Sequence, residues 1–66
     1  MNIVVNGNSI DVPLACNIVQ LLDVLELDTR HVAVELNREI LPHEQHASRL
    51  LAENDSLEIV TLVGGG

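Results

Sequence analysis

The chain has 66 residues, 47% of them hydrophobic, with no aromatic side chain and a formal net charge of −7. That length allows one small domain with a core built from Val, Leu and Ile, and so apolar a composition argues against disorder. The acidity disfavours nucleic acid and anionic membrane surfaces, no apolar stretch could span a bilayer, and the single Cys16 excludes an intramolecular disulfide.

The opening residues Met1-Asn2-Ile3-Val4-Val5-Asn6 lack the basic start and long apolar run of a signal peptide, so the cytoplasm is the expected compartment. Ile3-Val4-Val5 and Ser9-Ile10-Asp11-Val12 flank Asn6-Gly7-Asn8. Asn-Gly favours a type I′ turn, because both central positions need positive φ, and the flanking runs predict an opening β-hairpin. Pro13 ends the second strand by removing a donor.

Asn17 with Gln20 three residues later has the form of a capping box. Ile18, Leu21, Leu22 and Leu25 follow at helical spacing, predicting an amphipathic helix of roughly two to three turns. Asp28 and Thr29 fall in its exit loop. From His31 to Leu36 the pattern alternates, with Val32, Val34 and Leu36 on one side and Ala33 and Glu35 on the other. Asn37-Arg38-Glu39 predicts a turn into a short Ile40-Leu41 strand stopped by Pro42. His43 to Leu51 predicts a brief helical turn and a loop, and Asn54-Asp55-Ser56 a turn. Leu57 to Val63 reads as the last strand, passing directly into Gly64-Gly65-Gly66.

A single helix must bury its stripe against a sheet, so the class is α+β, a mixed sheet of four to five strands with the helix across one face. The last strand is expected at the sheet centre beside the first, where two-sided burial suits its apolar run. This is the β-grasp order of ubiquitin-like proteins. The expected division is a domain over residues 1–63 and a flexible glycine tail over 64–66.

Few residues suggest chemistry. His43 and His46 lack the spacing of a metalloprotease motif and any supporting cysteine cluster, and they read as surface histidines, with no metal site expected. Cys16 precedes the helix cap without a recognisable base and reads as a small buried cysteine. The carboxylates form no acid/base pair, and the chain has no lysine for a Schiff base. Val60 and Leu62 share a face with Glu58. If the helix leaves that face open they form, with Val4, a docking patch near the tail root; otherwise Leu50 or Leu51 folds over them.

The tail is the remaining candidate. A loose end is one reading of three glycines. The other is a carboxylate on Gly66, carried by Gly64 and Gly65 on a stalk thin enough to thread a guarded active site. A terminal glycine leaves no α-substituent to crowd attack on an acyl adenylate.

Several segments together resemble the ThiS family, the sulfur carriers of thiamine biosynthesis. They are the Asn-Gly hairpin, the helix around Ile18-Val19-Gln20-Leu21-Leu22, the run from Val34 to Pro42, and the end from Asn54 through Val63-Gly64-Gly65-Gly66. The family usually has a basic residue where this chain has His43, and often an aromatic where it has His46. The resemblance implies a carrier, not an enzyme, with no bound cofactor. A ThiF-like adenylyltransferase would use ATP and Mg²⁺ to activate Gly66, a donor such as a cysteine desulfurase would supply sulfur, and a ThiG-like thiazole synthase would consume it. The small subunit of molybdopterin synthase shares the fold and the diglycine end and is the nearest alternative. A β-grasp binding module with an inert tail is another.

Overall fold

The computed structural model describes residues 1–62. Strands β1 (Asn2–Val5) and β2 (Asn8–Asp11) pair antiparallel with Val5 opposite Asn8. The turn is therefore two residues, Asn6 and Gly7, at φ 50 and 83. Both angles are positive, as a type I′ turn requires. Asn8 thus belongs to the strand, one residue earlier than the sequence suggested. Val12 lies beyond β2, but its N–H donates to Met1 O at 2.9 Å and its carbonyl accepts from the Met1 ammonium at 2.7 Å.

Helix α1 spans Ile18–Val24 behind the predicted capping box. The Asn17 side chain accepts from Gln20 N, and the Gln20 side chain accepts from Asn17 N, both at 2.8 Å. Ile18, Leu21 and Leu22 are buried, and burying each such side chain contributes about 1.5–3 kcal/mol. Leu25 is the C-cap and half-buried. What read as exit loop is a 3-10 turn, Thr29–His31, capped by Asp28.

Strand β3 (Val32–Leu36) shows the predicted alternation, with Val32, Val34 and Leu36 buried. It returns through Asn37-Arg38, at φ 51 and 72, into β4 (Glu39–Leu41). This is a second two-residue turn, and it places Glu39 in the strand. The segment from His43 opens with a 3-10 turn, His43–Gln45.

Strand β5 runs Ser56–Thr61, starting one residue earlier than expected. Leu62 follows it, and Val63, expected in the strand, lies outside the described residues, as do Gly64, Gly65 and Gly66. The order is β2-β1-β5-β3-β4, with β5 parallel to β1 and antiparallel to β3. The last strand takes the centre, as the β-grasp reading requires. Burial there is one-sided, however. Leu57 and Ile59 enter the core, whereas Glu58 and Val60 face solvent. One short helix covers only one face, and Leu51 and Leu50 do not cover the other. Leu51 joins the core, its N–H donating to Cys16 O at 2.8 Å, and Leu50 bridges to Asn17. No helix among the described residues is long and apolar enough to cross a membrane.

Candidate functional site

The fold delivers its last strand from the sheet centre to one corner. There Leu62 N–H donates to His31 O at 2.8 Å, fixing the point from which the chain continues beyond the described residues. The candidates Gly64, Gly65 and Gly66 lie past that point.

The open face of the sheet adjoins this corner. Val60 is 59% and Leu62 48% exposed. Ala33 stands directly opposite Val60, and Glu35 opposite Glu58. Ile40, on β4 opposite Glu35, is 81% exposed. Val4 does not join this group. It is half-buried and registers with Ser56, four residues before Val60 and so about 13 Å away along the strand. Sequence reasoning missed Ile40 and the facing of the two glutamates. Both follow only from register across the hairpin and the central strand.

His43 is exposed, as the surface reading has it, but His46 corrects that reading. His46 is 1% exposed and is the buried polar residue of the core. Its Nε2 lies 3.2 Å from Leu41 O. A carbonyl only accepts, so Nε2 carries the hydrogen and the bare Nδ1 takes the Thr29 hydroxyl hydrogen. Burial pushes the His46 pKa below the ordinary histidine value. The His46 carbonyl also accepts from Ile18 N and Val19 N, at 3.2 and 3.3 Å. The start of α1 is thereby satisfied within the chain and offers no anion site. His43 meets the His46 ring edge-on at 5.1 Å, and its Nε2–H donates to Val32 O at 2.9 Å. The one sequence signal for this burial was that His46 stands where the ThiS family often has an aromatic.

Other groups are quiet. Cys16 is buried, and burial raises its thiol pKa, which opposes nucleophilic reactivity. The Arg30 side-chain hydrogen bond holds the Asp28 carboxyl well below the usual carboxylate range. No group of three potential metal ligands occurs among the described residues. The hollow between α1 and its following loop, lined by Val19, Asp23, Val24 and Leu27, opens to solvent. The arrangement leaves Val60 and Leu62 exposed on an uncovered sheet face at the corner that the last strand reaches.

Comparison with known proteins gives a consistent picture. The profile of the ThiS family matches residues 3–66. The crystal structure of the thiamine biosynthesis protein ThiS from Geobacter metallireducens superposes with a TM-score of 0.84 at 33% identity, covering 100% of both chains. The solution structure of a thiamine biosynthesis protein from the same organism gives a TM-score of 0.80, covering 100% of this chain and 88% of that one. A thiazole synthase of Paramagnetospirillum magneticum is 39% identical over 66 residues, all of this chain but only 20% of that protein's length. An uncharacterized protein, ycf40, of Pyropia yezoensis is 36% identical and is covered over 93% of its length.

Proposed function

The chain belongs to the ThiS family, and we propose that it is a sulfur carrier whose reacting group is the Gly66 α-carboxylate. The observation that carries this reading is that the family match runs through residue 66 and so takes in the glycine tail with the β-grasp domain. It is supported by the geometry, in which the central strand brings the chain to the edge of an uncovered face.

The carboxylate oxygen of Gly66 attacks the α-phosphorus of ATP in a ThiF-like adenylyltransferase that supplies Mg²⁺, and pyrophosphate leaves. A sulfur nucleophile from a cysteine desulfurase or related donor then attacks the acyl carbon. AMP leaves; where the donor is a persulfide, the acyl disulfide so formed is cleaved by a thiol, which takes the donor's sulfur into a new disulfide and frees the thiocarboxylate. A ThiG-like thiazole synthase takes that sulfur into the thiazole ring of thiamine and provides the catalytic lysine that this chain lacks. The carrier contributes presentation and recognition, acting as a protein co-substrate without a cofactor of its own. Glycine at 64, 65 and 66 lets backbone thread where a side chain would clash. The activating enzyme docks on the face bearing Val60 and Leu62.

ATP–pyrophosphate exchange by the adenylyltransferase tests this reading. Exchange should depend on the carrier and vanish when Gly66 is deleted. Exchange that persists without Gly66 would refute the assigned carboxylate, and binding without any exchange would favour the inert-tail module.

A further inference from the structure

The register of the central strand places Glu58 directly opposite Glu35, with both side chains exposed. Like charges at directly opposed sheet positions repel and cost stability. The single ion pair among the described residues is Arg30–Asp28, so neither glutamate is neutralised by an ion pair there. Apolar side chains frame the pair. Ile40 stands beside Glu35 on the edge strand, and Val60 lies two residues beyond Glu58. At 81% and 59% exposure, both apolar side chains are left largely in water.

A doubled carboxylate between apolar neighbours is complementary to a guanidinium. Arginine presents a planar fork to carboxylate oxygens, is more weakly hydrated than an ammonium, and packs on apolar surface. The formal charge of −7 steers the same class of partner toward the chain. We propose that Glu35 and Glu58 together receive one arginine of the adenylyltransferase, with Ile40 and Val60 packing around it. The inference rests on the proposed function for the identity of this occupant. Repulsion held in the free carrier is relieved on binding, so the pair favours association with a cationic partner and disfavours burial against a neutral or acidic one.

The test uses the full chain and the adenylyltransferase of the same organism, with Glu35→Gln, Glu58→Gln, the double variant, and Glu26→Gln as a control of equal charge change on another surface. Calorimetric affinity should weaken about tenfold in each single variant, and the double variant should lose less than the product of the two. KM for the carrier should rise while kcat stays unchanged, and each free single variant should melt slightly higher than the parent. Unchanged affinity in both single variants, or an equal loss in Glu26→Gln, would overturn the assignment. If the parent is adenylated at Gly66 while the glutamine variants bind as tightly, only the arginine contact fails. If the parent is neither bound nor adenylated, both this inference and the proposed function fail.

Discussion

Asn6 completes the pairing of Ile59. Its side-chain oxygen accepts from Ile59 N at 2.8 Å, and its side-chain nitrogen donates to Ile59 O at 3.1 Å. β1 stops at Val5 while β5 continues, so an amide side chain supplies the donor and acceptor that the missing backbone would have given. Asn37 repeats the device at the other hairpin. It pairs with Ser56 through its backbone N–H at 2.7 Å and its side-chain oxygen at 3.0 Å. Both turn asparagines therefore hold the strand that leads to the tail.

Asn6→Gly keeps the positive φ but removes both bonds to Ile59, and should destabilise the fold by about 1–3 kcal/mol. Asn6→Ala should cost about 1 kcal/mol more, because alanine resists the left-handed conformation. Urea unfolding with an unchanged m-value checks both. An Asn6→Gly variant as stable as the parent would contradict the bridging role.

Arg38 occupies the second position of the other type I′ turn at φ 72. Its exposed side chain makes no hydrogen bond among the described residues that would offset this. Arg38→Gly should stabilise by about 0.5–1 kcal/mol, read as a higher melting temperature. A lower melting temperature would show that the arginine does something the turn geometry omits.

His46 gives the fold a defined pH dependence. Its folded-state pKa is depressed, first by burial and further by His43, against raising effects from the Leu41 hydrogen bond and Glu44. The unfolded chain therefore binds a proton more readily, so stability is full above the ordinary histidine value and declines as pH falls below about 6.5. Asp28 is held well below the usual carboxylate range, first by its side-chain hydrogen bond with Arg30, so its contribution is lost only at much lower pH. His46→Leu should cost about 1–3 kcal/mol at pH 8, since the Leu41 carbonyl and Thr29 hydroxyl lose their partner. It should also flatten the profile between pH 6.5 and 5, measured by denaturant titration at each pH. An unchanged slope would place the titration elsewhere.

Much of the fold was legible because its signals are local. Asn6-Gly7 specifies a turn by φ, Asn17 and Gln20 cap a helix by spacing, and the alternation at Val32, Val34 and Leu36 marks a face. The buried role of His46 was not legible, because it sits in an irregular segment where no periodicity reports burial. The facing of Glu35 and Glu58 was hidden for another reason. Each strand reads correctly by itself, but their opposition depends on a long-range register that only the assembled sheet fixes. Whether β5 buries one face or both stayed open between two readings for the same reason, since an apolar run does not say which face a helix will cover.

Val60→Asp tests the docking face. Val60 is exposed, so the change should alter stability by less than about 0.5 kcal/mol. KM for the carrier with the adenylyltransferase should rise at least about tenfold, with the melting temperature nearly constant. An unchanged KM would move docking to another surface.

The central claim concerns Gly66. The most direct measurement is the intact mass of the chain after incubation with ATP, Mg²⁺, the adenylyltransferase and a sulfur donor, followed by fragmentation. The account predicts a species heavier by the exchange of one oxygen for sulfur, located at Gly66 and absent when Gly66 carries a bulky replacement that leaves the melting temperature unchanged. A chain that keeps its original mass beside a control carrier converted by the same enzymes would contradict it.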